Sequence, residues 1–457
     1  MKNRPLSHGW SIALVLALAL GAALGAALLT GGPESAVDWR ALRAVVVESD
    51  DWGLSGFAPA ADVWQGLDRN ALAPGNFPDV YWNSTLEDSA TIKALGRILN
   101  SVRGRDGRPA VFQPNYVMSA LDYEEGPQGT NWRRYDIPDL PPQYPRPGLW
   151  GTVTDVVNGG LWYPEYHAAW HYDPERRRQA VAEGGVAEEA ARRGIPLFTG
   201  SEAARELGSW RSSVELEREL EQGLYLFEEF FQRRPGSLIA PDYTWNGRME
   251  NIWEGSGLTV IQAKREQRNP DLGNGRLGRL QKYVYRQVDR RWNPGRIYLE
   301  RNCRLEPVQA LDPSAVIDDC ITATFAAWSA GQPAIVETHR VNFVHLDPAV
   351  AETGQRALAE YLHAVGGATP GPVFLTDMEL AQLYRRGTAW CVRGGMVVVG
   401  NGTHSRRLVT IPGHALELAA SQRGIRAAEW SDLIVALAAG EWREVVPGDT
   451  SVTPSHN

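Results

Sequence analysis

The stretch VVVESDDWG, residues 45–53, runs three valines through a glutamate and a serine into two adjacent aspartates. A short run of β-branched residues ending in turn formers reads as a buried strand over 44–49, and its end delivers Asp50 and Asp51. Further strands are expected at 110–117, 237–240, 258–263, 296–300, 334–338 and 372–375. Between them lie helix patterns at 86–102, 175–193, 214–232, 313–330, 348–366 and 377–385. Asp312, Asp347 and Thr376 stand as capping residues of three of these, the first two followed by a proline suited to the first helical position. Strands alternating with helices at this rhythm predict an α/β fold with a parallel sheet, and about six or seven units favour a closed or nearly closed barrel over an open sheet. Catalytic groups in such folds sit at the C-terminal ends of strands, where the carboxylate pair falls.

The rest of the 457 residues frames this domain. An apolar fraction of 43% and a charged fraction of 22% are those of an ordinary globular chain, and 46 Gly with 29 Pro imply many loops. A net charge of −8 without a basic face argues against nucleic acid as a partner. Residues 1–32 carry Lys2 and Arg4 ahead of an uncharged run from Trp10 to Leu29, about long enough to cross a bilayer with the N-terminus left in the cytoplasm. An uncleaved anchor is preferred here to a signal peptide, since the run is long for a signal-peptide core. Either way the remainder faces the periplasm or cell exterior, or is secreted if the segment is cleaved. A barrel is expected over 38–385, a small β-rich module with hairpin signals over 386–447, and a flexible tail over 448–457. The Pro-, Gly- and aromatic-rich stretch 121–160 reads as an irregular loop walling a substrate cleft. Cys303 and Cys320 are close enough in sequence to close a short loop in an exported protein, with Cys391 left as a buried hydrophobe, although spacing alone does not establish the pair. There is no CxxC pair, which excludes a thiolate zinc site.

Four short motifs carry chemistry. In an extended segment Asp50 and Asp51 point to opposite sides, so one can bind a metal while the other takes a proton from water; a turn or cap pair is the plain alternative. In LWYPEYHAAWHYDP, residues 161–174, His167 and His171 lie four apart, and a short helical stretch between Pro164 and Pro174 would place both imidazoles on one face. Two histidines and one aspartate leave a coordination position open, as a catalytic rather than a structural zinc site does, and hydrolysis of an amide or ester is the natural chemistry of such an ion. Strand 334–338 ends at His339, placed to protonate a leaving amine or alkoxide. In SLIAPDYTWNG, the end of strand 237–240 offers Tyr243, whose backbone N–H is a candidate oxyanion donor beside the simpler reading of a turn.

Taken in this order the motifs resemble those of the NodB-type polysaccharide deacetylases, carbohydrate esterases of the glycoside hydrolase/deacetylase barrel superfamily. The resemblance implies a distorted (β/α) barrel of about seven strands and one divalent metal ion, zinc before others. It also implies Asp50 as base, Asp51, His167 and His171 as metal ligands, His339 as acid and Tyr243 as the oxyanion donor through its backbone. Acetyl groups of an extracytoplasmic polysaccharide would be the substrate. Among the 17 Trp, those beside the motifs, Trp52, Trp170 and Trp245, are candidate stacking faces for sugar rings. Two departures stand out: IAPDYTW lacks the arginine that normally orients the base, a place that Arg340 or Arg301 would have to fill, and no Asp-Trp motif is present to tune His339. These departures keep open a glycosidase on the same barrel, using Asp50 with Asp242 or Glu337, and a catalytically degenerate glycan-binding protein.

Overall fold

The computed structural model describes residues 37–447 except 55–57, 73–77, 127–128, 196–206, 208–210, 265–267, 270–276, 279, 282–283, 286–292, 294 and 426–429. The strands begin with β1 (Ala44–Gly53) and β2 (Gln113–Val117), followed by a hairpin of β3 (Ser119–Gly126) and β4 (Gly129–Asp136). They continue with β5 (Glu165–Ala168), β6 (Ser237–Leu238), β7 (Val260–Ala263), β8 (Ile297–Glu300), β9 (Cys303–Arg304), β10 (Ala334–His339) and β11 (Val373–Phe374). Outside the hairpin these form one sheet in the order β8-β7-β6-β5-β2-β1-β10-β9, with β11 on the start of β1. Every pairing within it is parallel.

The two ends of that order are adjacent in sequence. Arg301 N–H donates to Ala263 of β7, the next residue's N–H donates to Ile335 of β10, and the chain passes from β8 straight into β9. One extended segment therefore pairs with β7 on one side and β10 on the other, and the row of strands returns on itself as an irregular barrel. Counting β8 and β9 as one position gives seven, as the resemblance implied.

Alternation along the strands sorts the residues into two shells. Val45, Val47, Ile261 and Val336 face outward under three helices, α1 (Ser89–Ser101), α2 (Ser213–Phe231) and α3 (Pro348–Gly366), through residues such as Leu95, Leu224, Phe227, Leu358 and Leu362. Ala44, Val46, Val260, Leu299 and Ile335 pack together as the floor of the barrel. Each large aliphatic side chain so buried contributes roughly 1.5–3 kcal/mol. Higher up the same faces become polar: Glu48, Gln113, Glu165, Ser237, Gln262 and Arg301 are all buried. Asp377 plugs this layer from the N-terminus of α4 (Asp377–Arg386), with Oδ1 accepting from Gln113 and Oδ2 from Ser237 and Gln262. Burial, and then the Asp377 charge, push the Glu48 carboxyl well above its ordinary value despite Arg301.

The expected strands and most expected helices are present, and Asp312, Asp347 and Thr376 cap their helices as read. Two expectations fail. The 175–193 pattern splits into Pro174–Ala182 and Val186–Arg192, because Gly184 and Gly185 adopt left-handed backbone between them. The irregular 121–160 stretch contains most of the β3–β4 hairpin and the helix Leu149–Asn158. The C-terminal region is β-rich as expected, with an antiparallel sheet of β12 (Thr388–Arg393), β13 (Met396–Asn401) and β16 (Trp442–Val445) and an antiparallel pair, β14 (Arg407–Ile411) and β15 (Leu433–Leu437), which are connected through the helix Gly413–Gln422. Cys303 and Cys320 are both buried and free, with Thr324 Oγ1 donating to the Cys303 sulfur across 3.5 Å, so the short loop is not closed by a disulfide. Among the described residues no helix is long and apolar enough to cross a membrane, and the apolar N-terminal run lies outside them.

Candidate active site

All strands of the barrel point one way, so their C-terminal ends gather at a single mouth. Its geometry begins with an irregularity in β1. Pairing with β2 matches Ser49 to Pro114 and resumes at Trp52 with Tyr116, so Asp50 and Asp51 together face Asn115 alone. This is a bulge, and its second residue, Asp51, takes the left-handed conformation at φ 70°, which aspartate tolerates better than most side chains. Gly53 follows at φ 77°, where a Cβ would come within 2.6 Å of the Val117 carbonyl oxygen. The extended alternation expected for the pair is thus broken. Both carboxylates turn into the mouth, Asp50 toward Arg301 and Asp51 toward the histidines.

His167 and His171 do meet, though not on a helix. His167 lies on β5, and His171 at φ 66° sits in the tight bend after it. The Nε2 atoms of His167 and His171 lie 3.4 and 3.0 Å from Asp51 Oδ1. His167 Nδ1 is 3.0 Å from the Ile239 carbonyl oxygen, so that nitrogen carries the proton and Nε2 presents a lone pair to Asp51. The bend is held from outside by the hairpin: Leu121, Ala169, Trp170 and Tyr172 cluster against Trp132, and the Leu121 N–H donates to the Tyr172 hydroxyl across 2.8 Å. Asp51, His167 and His171 offer three ligand atoms within 4.8 Å of one another. A borderline ion such as zinc takes this donor set, and the fixed histidine tautomer fits it.

Asp50 is gripped from the other side. Arg301 donates to both of its oxygens across 2.7 Å, and Asn115 Nδ2 adds a third bond at 2.8 Å. Burial alone would raise this carboxyl; the Arg301 charge and hydrogen bonds outweigh it and hold it well below the usual carboxylate range. Of the two arginines named from the sequence, it is Arg301 that contacts Asp50. Arg340 donates instead to the Gly53 carbonyl and to Glu87, whose other oxygen accepts the Gly53 N–H, so it secures the bulged turn.

His339 Nε2 lies 3.6 Å from Asp50, and its Nδ1 meets Glu306 at 2.5 Å. The other Glu306 oxygen accepts from Asn342 and Gln309, each across 2.7 Å. Burial disfavours the imidazolium, but Glu306, with Asp50 and Asp51 behind it, raises the His339 pKa to about 10. Glu306, Glu337 and His339 are close enough to hold an ion, yet their charges are already matched, since Lys264 Nζ sits 2.5 Å from Glu337 and the imidazolium faces Glu306.

Two expectations need correcting. The Tyr243 N–H donates to the Ala240 carbonyl across 3.0 Å within the turn Pro241–Tyr243, so it does not face an oxyanion. What enters the mouth is the hydroxyl, 2.6 Å from Arg301 Nη1, 3.1 Å from Glu337 and 3.4 Å from Asp50. Trp52, Trp170 and Trp245 are core: Trp52 packs edge-on to Phe112 and Trp162, Trp170 lies beneath Arg134, and Trp245 donates to buried Glu250. None presents a face to a sugar. Tyr81, which sequence reading passed over, is at the mouth, its ring edge-on to His339 at 6.5 Å with Gln309 donating to its hydroxyl.

No protein-family model matches the chain, and no curated protein matches it. Among solved structures it is similar to a protein described as a polysaccharide deacetylase from Mycobacterium smegmatis, at 12% identity over 78% of this chain and 93% of that one, with a TM-score of 0.37. A carbohydrate deacetylase is matched at 10% identity over 88% of this chain and 65% of its own length, with a TM-score of 0.38. An alpha-amylase from Geobacillus thermoleovorans, complexed with acarbose, is matched at 11% identity over 89% and 98% of the two chains, with a TM-score of 0.27.

Proposed function

We propose that this chain is a metal-dependent hydrolase that removes acetyl groups from an extracytoplasmic polysaccharide. One observation carries the reading: a single bulged strand end points Asp51 at two histidine Nε2 atoms and Asp50 at Arg301 and His339. A divalent ion held by Asp51, His167 and His171 would polarise the acyl carbonyl and make water acidic enough to attack it near neutral pH. Asp50, fixed by Arg301 and Asn115, accepts the proton that the attacking water loses. Its depressed pKa suits a proton from acidified water better than one from bulk water. His339, kept charged and oriented by Glu306, gives a proton to the departing nitrogen or oxygen as the bond to the acyl carbon breaks. Acetate and the free amine or hydroxyl are the products.

The alternatives fit less well. Glycoside cleavage needs one carboxyl to stay protonated as the acid. Asp50 is clamped by Arg301 and Glu337 is paired with Lys264, both lowered in pKa, while Asp242 pairs with Arg268 at the surface. The degenerate-protein reading was motivated by a missing arginine that Arg301 supplies. The setting outside the cytoplasm is proposed from the basic and apolar residues of 1–32.

The test is acetate release from a panel of N- and O-acetylated oligosaccharides by purified full-length protein, metal-free and after adding zinc, beside Asp51→Ala and His171→Ala. Release restored by zinc and abolished in both variants is expected. Undiminished release by metal-free protein, or zinc-loaded wild type silent across the panel, would overturn the assignment.

A further inference from the structure

We propose that the hydroxyl of Tyr243 is the hydrogen-bond donor that stabilises the oxyanion formed when water attacks the acyl carbonyl. The inference rests on the deacetylase reading and adds a catalytic residue to it. Both backbone groups of Tyr243 are already used, the N–H by Ala240 and the carbonyl by the Arg268 N–H across 2.8 Å. The side chain is differently placed. Arg301 Nη1 donates into the phenol oxygen across 2.6 Å, so that oxygen is an acceptor there and its single proton must go elsewhere.

Two acceptors stand within reach, Glu337 at 3.1 Å and Asp50 at 3.4 Å, and neither depends on it. Glu337 has the Lys264 ammonium, while Asp50 has Arg301 and Asn115. The phenol proton is therefore the one most readily passed to a new anion beside Asp50. The incoming Arg301 bond polarises the O–H and makes it a stronger donor.

The competing role for this hydroxyl is a prop for Arg301. Tyr243→Phe separates the two, read by acetate release and by calorimetric binding of an oligosaccharide carrying a methylphosphonamidate in place of its acetamide, a tetrahedral anion. An oxyanion donor predicts a fall of about 10²–10³-fold in kcat with KM and zinc affinity little changed. It also predicts weaker analogue binding, unchanged product binding and an unshifted acidic limb of the pH profile. A prop predicts a shifted acidic limb, through Asp50, with analogue and product affected alike, and that result would overturn the proposal. Glu337→Gln, which weakens the competing acceptor and keeps the phenol, is expected to retain or tighten analogue binding; weaker binding counts against the donor role. Wild type that neither releases acetate nor binds the analogue would sink the functional reading itself, whereas active wild type with equally active Tyr243→Phe would sink only this proposal.

Discussion

The Asp50 half of the mouth and its Asp51 half begin at adjacent residues of one strand, yet they are held in opposite ways. Asp50 faces a fully buried arginine in a layer whose hydrogen bonds run through Asn115, Gln262 and Ser237 to Asp377. His339 is anchored by Glu306, itself anchored by Asn342. These groups satisfy one another without any ligand. Asp51 instead faces the Nε2 atoms of His167 and His171, at 3.4 and 3.0 Å, three ligand atoms that one ion could share. One half is closed by its own ion pairs; the other would gain stability from the binding energy of an ion.

Substitutions can break this contrast. The largest effect is expected for Arg301→Met, which strands Asp50 in the barrel without its counter-charge; removing one partner of a buried ion pair costs about 3–5 kcal/mol, read by denaturant unfolding of the metal-free protein. His171→Ala, on a side chain about one quarter exposed, should lie within about 1 kcal/mol of wild type in the same experiment. Equal losses would mean that the two halves are not held differently. Asp51→Ala is expected to lower zinc affinity by at least about a hundredfold, more than loss of an outer-shell partner would, with little change in metal-free stability.

The pH dependence sharpens the contrast. His339 has a folded pKa of about 10, above the ordinary histidine value, so its stabilising contribution is complete below pH ~6.5 and is lost as pH rises through about 10. Glu306→Gln should bring the His339 titration, followed by NMR, down toward the ordinary range and flatten the alkaline loss of stability. An unmoved titration would mean that Glu306 is not the partner that matters. Gly53→Ala meets left-handed backbone, worth about 1–2 kcal/mol by itself, and a 2.6 Å contact with the Val117 carbonyl oxygen, so a loss at or above that range is expected by thermal unfolding.

The parts of this architecture that were readable from sequence follow from periodicity. Buried parallel strands are short apolar runs, and Asp312, Asp347 and Thr376 announce their helices by local chemistry, so the barrel and its strand ends could be read directly. The grouping of Asp51, His167 and His171 was legible from their residue types and order. Their geometry was not: a bulge leaves no mark in the sequence of one strand, because it is a mismatch between two, and a bend can bring two histidines together as well as a helix can. The tryptophans misled because a large aromatic beside a motif is as useful to the core as to a ligand. Arg301 lay within reach of inference, since it continues the inward alternation Leu299–Arg301 opposite Glu48 and Asp50. Glu306 was not, because only the fold brings its loop to His339.

The central claim is that one ion, at Asp51, His167 and His171, enables the reaction. It is tested most directly by titrating metal-free full-length protein with zinc while following bound metal and acetate release together. The account predicts one tight site per chain, release rising in proportion to its occupancy, and loss of both in His167→Ala. Full release before any zinc is bound, or a tight site that survives in His167→Ala, would contradict it.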